Sequence, residues 1–119
     1  MEDRYLFKGK EKDSGKWLEW NAIAGIPHNV TILTDTICQC TGSRDKNSKL
    51  IYDNDIAKDE KGNLYKAFWQ KNYYQYFWIC IKSNYLPVGA QWNLWSIKSF
   101  EIEVIGNIFD NPELLESEG

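Results

Sequence analysis

The sequence predicts a mostly β domain, a small barrel with short helices. Three observations carry that prediction. Glycine and polar clusters punctuate the 119-residue chain at short intervals, which favours short strands. Phe100, Ile102 and Val104 alternate with Glu101 and Glu103, the period-two pattern of a half-buried strand. No stretch carries a long amphipathic helical repeat. The best candidate is Asn93 to Phe100, where Leu94, Ile97 and Lys98 fall at helical spacing. Ser96 and Lys98 suit the solvent side of a strand equally well.

Taken in order, Tyr5 to Lys8 and Trp17 to Ala24 read as strands flanking a loop with Gly9 and Gly15, and Pro27 ends the second. Val30 to Leu33 and Thr36 to Cys40 read as the next two. Thr41-Gly42 is expected to break the strand before it, and Asp45-Lys46-Asn47-Ser48 is turn chemistry. Ile51 to Lys58 reads as a short strand interrupted by the turn Asp53-Asn54-Asp55. Asp59 to Asn63 is a turn in which Gly62 suits positive φ. Leu64 to Gln70 and Tyr73 to Lys82 form a hairpin across Lys71-Asn72. Phe100 to Ile108 is the last strand. With Thr36 to Cys40 it is expected inside a sheet, from its alternation and β-branched content. Asn111 reads as an N-cap with Pro112 at the first helical position. Pro112 to Glu116 then makes about one helical turn, and Ser117 to Gly119 fray.

The length suits one domain over residues 1–119, with one core rather than two. A net charge of −3 argues against a broad footprint for duplex DNA. No apolar run approaches the roughly 20 residues of a membrane helix. Met1 is followed at once by Glu2 and Asp3 with no secretory apolar region, so a cytoplasmic protein is expected. Cys38 and Cys40 alternate along one strand and share a face, which makes them poor disulfide partners. Cys80 and the single His28 complete four ligand types for zinc on paper, but the spacing fits no zinc motif. Buried small hydrophobes are the expectation for the thiols, with no metal and no cofactor.

Aromatic residues crowd the segment from Tyr65 to Trp95. On the strand Tyr73 to Lys82, the residues Tyr74, Tyr76 and Trp78 face one way and Tyr73, Phe77 and Ile79 the other. Both faces are apolar, whereas a half-exposed strand shows one polar face. Either the strand is central and covered on both sides, or it lends one face to a partner. Tyr74, Tyr76, Trp78, Trp92 and Trp95 are therefore the candidate binding residues. Tyr76 and Trp78 are the expected anchors of a homo-oligomer. An aromatic sheet can also stack single-stranded bases if basic residues interleave. Lys66, Lys71, Lys82 and Lys98 are available, but the only arginines are Arg4 and Arg44. For catalysis the candidates are Asp53 and Asp55, with Asp45 in the preceding loop. A working acid–base pair needs environments that split the two pKa values. The alternative is that Asp55, like Asp45 and Gly42, serves turn geometry. Lys49 and Leu50 break the calcium-loop pattern, and no phosphate-binding glycine loop is present.

Gln39-Cys40-Thr41-Gly42, then Asp45-Lys46-Asn47-Ser48, then Ile51-Tyr52-Asp53-Asn54-Asp55-Ile56 resemble the central motif of the YopX-like family of phage and prophage proteins. That motif runs Q-Y-T-G-x-x-D-K-N-G-x-x-I-Y-x-G-D-I. Phe7-Lys8-Gly9-Lys10 with Ser14-Gly15-Lys16-Trp17 resembles the family's opening hairpin. Glu103-Val104-Ile105-Gly106-Asn107 through Leu115 resembles its closing signature. Leu64 to Ser99 carries no match. Ser43 stands where the family has an apolar residue, and Ser48 and Asn54 where it has glycines. Asn54 can keep a left-handed turn, and Ser48 does so less readily. The resemblance implies a mixed α+β fold with an SH3-like barrel part. It also implies an accessory protein that occupies a host protein or a small ligand, with no established activity. Combined with the aromatic surplus, it leads to the expectation of a non-enzymatic binding module in the host cytoplasm. A single-stranded nucleic-acid binder and a small carboxylate-dependent enzyme are the alternatives.

Overall fold

The computed structural model describes residues 3–98 and 101–115. Within them the chain forms two open antiparallel sheets. The first comprises β1 (Leu6–Lys10), β2 (Trp17–Asn21), β3 (Cys38–Arg44) and β4 (Leu50–Tyr52), in the order β2-β1-β3-β4. The second comprises β5 (Asp55–Asp59), β6 (Leu64–Gln70), β7 (Gln75–Lys82), β8 (Gln91–Asn93) and β9 (Ile102–Asn107), in the order β8-β7-β6-β5-β9.

The fold is thus mostly β, but the expected barrel does not close. The reason is the turn from Tyr52 to Asp55. It carries the chain from β4 into β5, and these strands belong to different sheets instead of pairing. Asn54 takes φ 70° there, a left-handed conformation that asparagine tolerates. The turn's backbone is spent on its neighbours. Asp53 N donates to Gln39 O, Asn54 N to Ala67 O, and Ile108 N to Asn54 O.

The helical part of an α+β fold reduces to 3-10 turns at Asp3–Tyr5, Thr34–Thr36, Leu94–Ser96 and Pro112–Leu115 among the described residues. The segment from Asn93 has no room for more, because Asn93 still pairs with Phe77 and Ile97 is already extended. Phe100 and Glu116, which bounded two expected elements, lie outside the described residues. Asn111 does not cap the last turn with its side chain. Its Oδ1 accepts the Asn107 N–H instead.

Other boundaries shift for local reasons. β2 stops at Asn21, whose Oδ1 accepts the N–H groups of Ile23 and Ala24 and starts a turn. Val30 to Leu33 gives an isolated bridge from Ile32 to Glu11 rather than a strand. β3 runs through Thr41-Gly42 instead of breaking. The irregularity appears as a register shift between Cys40 and Arg44, with Gly42 at φ 88°. Ser48 adopts φ 63° at the following turn. The β6–β7 turn occupies Lys71–Tyr74, wider than expected, and Tyr74 sits at φ 54°. β3 is internal, but β9 is an edge strand. Its free edge is met by the Asp45 loop: Lys46 N donates to Ile102 O, and Val104 N donates to Asp45 Oδ2.

The larger core lies against the second sheet and contains Ile51, Ala57, Tyr65, Ala67, Trp78, Cys80, Ile102 and Val104. A smaller one gathers Cys38, Cys40 and Tyr52, with Leu6, Leu50 and Phe109 against it. Cys80 therefore belongs to a different cluster from the other two thiols. Gly9 is buried in β1, and a Cβ there would stand 2.6 Å from Ile32 Cγ2 and 3.1 Å from the Trp20 ring. Gly9→Ala is expected to lower stability by about 1–3 kcal/mol, the usual cost of forced overpacking. Urea unfolding read by tryptophan fluorescence checks it.

Candidate functional site

Three segments enclose a groove of about 420 Å³. One wall is β3, where Gln39, Thr41 and Ser43 alternate onto the same side, with Arg4 and Tyr5 beside them. The opposite wall is the β6–β7 hairpin, which supplies Trp69, Tyr74, Gln75 and Tyr76. Leu94 and Trp95, from the turn after β8, close one end. The walls are joined across the floor by a hydrogen bond of 3.2 Å from the Tyr76 hydroxyl to Gln39 Oε1. Gln39 Nε2 in turn donates to the Arg4 carbonyl at 2.8 Å. Trp69 meets Tyr76 edge-on with ring centroids 5.1 Å apart.

The five aromatic candidates divide. Tyr74, Tyr76 and Trp95 line the groove. Tyr74 is 81% exposed and Trp95 75%, and Tyr76 is half-buried. Burial pushes the Tyr76 hydroxyl well above its ordinary pKa, so it stays protonated and donates. Trp92 is half-buried and packs edge-on against Tyr65 at 5.8 Å. Trp78 is 1% exposed and part of the larger core. It cannot anchor a homo-oligomer, because the larger core, Tyr65 included, already covers its ring. On the other face of β7, Tyr73 stacks on Phe77 at 5.4 Å. Tyr5, Gln39 and Trp69 were missed from the sequence. For Trp69 a signal existed, since it shares parity with the buried Tyr65 and Ala67 on β6. For Tyr5 and Gln39, contact with a distant hairpin left no local trace.

None of Asp45, Asp53 or Asp55 lines this groove. Asp45 is buried, and its two oxygens accept the N–H groups of Asn47, Lys49 and Val104. Asp55 is 2% exposed. Its Oδ2 accepts the Tyr52 N–H at 2.8 Å, and its Oδ1 lies 3.6 Å from Lys8 Nζ. That ammonium sits 4.6 Å from the centroids of both Trp17 and Tyr52, a desolvated cation–π site. Burial raises the Asp55 carboxyl to about 6, with Lys8 opposing. Burial also raises Asp53, against the pull of Lys66. Nearby, Asp110 pairs with Lys10 and accepts the Trp17 indole N–H at 2.7 Å. Burial opposes its ionisation, but the hydrogen bonds from Lys10, Trp17 and Asn107 hold it down to about 2. Burial lifts the Cys38 thiol to about 11. No group of three or more His, Cys, Asp or Glu side chains suited to a metal gathers among the described residues. No helix among them is long and apolar enough to cross a membrane.

Two open antiparallel sheets, tied at the Tyr52–Asp55 turn and at the Asp45 loop and parted by an aromatic groove, define a small β protein whose recognisable surface is a cleft between the sheets. The chain belongs to the YopX protein family, whose model matches residues 1–116. No curated protein matches it.

The Asp55 carboxyl fixes a pH dependence. Between its unfolded value near 3.8 and its folded value of about 6, the folded chain holds a proton that the unfolded chain has released. Stability therefore falls as pH rises through that window, by up to about 3 kcal/mol, and levels off above it. Chemical denaturation at pH 4, 5, 6 and 7 is expected to show this decline, with Asp55→Asn flattening it. Asp45→Ala leaves the buried Val104 N–H without its acceptor and is expected to cost about 1–3 kcal/mol at pH 7, read by the same denaturation.

Proposed function

We propose that this chain is a non-enzymatic binding module of phage or prophage origin. It works in the host cytoplasm and holds a host-protein segment or a small ligand in the groove between its sheets. The observation that carries this reading is the exposure of large aromatic side chains on facing walls. Tyr5, Trp69, Tyr74 and Trp95 are each more than two-fifths exposed, at 45, 46, 81 and 75%. They converge on one cavity rather than scattering singly, as surface apolar residues ordinarily do. The cavity's size falls in the range of ligand sites, which combine aromatic walls with a few placed polar groups. Asp45 and Asp55 support a role without catalysis, since both are engaged by backbone donors and stand outside the groove.

A nucleic-acid reading is weaker. Arg4 is the only cationic side chain among the described residues lining the groove, and Lys66 lies on the opposite face of β6 from Trp69. Single-strand binders need cations that track the phosphates.

Trp95→Ala is the test, because its exposure lets the ring go with little change in melting temperature. Wild type and variant are each immobilised and exposed to host lysate, and bound proteins and small molecules are read by mass spectrometry. A species held by wild type and lost with Trp95→Ala is expected. An identical set on both would show that the groove is not the binding surface.

A further inference from the structure

The side chains left unspent along the groove between the sheets define what it can hold. Tyr5, Trp69, Tyr74 and Trp95 present exposed rings to it. Between them stand polar groups that make no hydrogen bond among the described residues: the Ser43 hydroxyl, the Gln75 carboxamide and the hydroxyls of Tyr5 and Tyr74. A hydroxyl or a carboxamide both donates and accepts. The indole N–H groups of Trp69 and Trp95 are unspent there too and add donors.

Charge, by contrast, is taken up within the chain. Arg4 lies over the Tyr5 ring at 5.9 Å. Arg44 and Lys98 line a lobe that adjoins the groove beyond Trp95. Arg44 pairs with Asp3 and donates to the Ser48 carbonyl, and neither Arg4 nor Lys98 is without a partner. No carboxylate lines the groove among the described residues. The backbone of the walls is taken up as well. β3, β6 and β7 are each paired on both sides, so no free strand edge is offered to an extended peptide. What remains is ring faces and neutral groups that donate and accept. A pyranose matches both. Its ring C–H bonds form apolar faces that pack on the negative face of an aromatic ring. Its hydroxyls lie around the rim, and each donates and accepts as the facing side chains do. A nucleotide also stacks, but its phosphate calls for cations not already spent.

We infer that the groove is a binding site for a neutral oligosaccharide, with sugar rings stacked on Trp69 and Trp95 and their hydroxyls bonded to Ser43 and Gln75. This deepens the binding-module reading and rests on it.

The test is titration of the ¹⁵N-labelled chain with maltohexaose, mannohexaose and cellotetraose, followed on the tryptophan indole N–H signals. Decathymidylate and decaproline serve as comparison probes. At least one of the saccharides is expected to move the signals of Trp69 and Trp95, and to leave that of Trp17, already bonded to Asp110, in place. Trp95→Ala is expected to weaken binding of that saccharide about tenfold, as loss of an aromatic anchor does. Gln75→Leu keeps most of the side chain's bulk and removes the amide, and is expected to weaken it about fivefold. Both side chains are exposed, so both variants are expected to fold. Unmoved signals with every saccharide at millimolar concentration, movement with decathymidylate or decaproline alone, or equal saccharide affinity in wild type and Trp95→Ala overturns the inference. Lysate capture that depends on Trp95, with every saccharide inert, would leave the binding module standing and remove the saccharide ligand.

Discussion

Two sheets that do not share a ladder need something else to hold them, and here it is the four-residue turn from Tyr52 to Asp55. Its backbone reaches β3 through Gln39, β6 through Ala67 and the residue after β9 through Ile108. Its carboxylate reaches β1 through Lys8. Asp55 closes the turn on itself by accepting the Tyr52 N–H, so one side chain fixes both the local bend and the attachment of the first sheet. A buried ion pair of this kind contributes little net stability, but losing one partner strands the other. Its value lies in geometry, because it sets how the two sheets stand to each other.

The groove follows from that geometry. A second tie, Asp45 to Val104, secures β9 to the loop after β3. Between the ties, the Tyr76–Gln39 hydrogen bond joins β3 to the β6–β7 hairpin. The hairpin's aromatic side chains fill part of the gap and leave the rest open. Closure into a barrel would have paired the strands with each other and removed that space. The open arrangement and the exposed rings are thus two aspects of one topology.

Much of this was legible in the sequence where the cause is local. The alternation of Ile102 and Val104 placed β9, and the turn residues at Asp59–Asn63 and Asp53–Asp55 were found because asparagine, aspartate and glycine announce themselves. Tyr74, Tyr76 and Trp95 were recognised as candidates from density and parity. What failed depended on distance. Trp78 has the same parity as Tyr76, but the larger core lies over it, and periodicity does not say how far a face extends under cover. The burial of Asp55 required Lys8, nearly half the chain away, to arrive beside it. The expected break at Gly42 became a bulge because β4 pairs on both sides of the irregularity.

Tyr74 gives the hairpin tip a further meaning. A bulky residue in the left-handed region is about 1–2 kcal/mol less comfortable than glycine there, and a ring so exposed recovers almost nothing by burial. The position therefore sets folding robustness and recognition against each other. Selection for heat resistance alone would drift toward glycine or asparagine at this site and strip one wall from the groove, while every strand stayed where it is. A thermally improved version of this protein, judged only by its melting curve, would look like progress and carry a blunted surface.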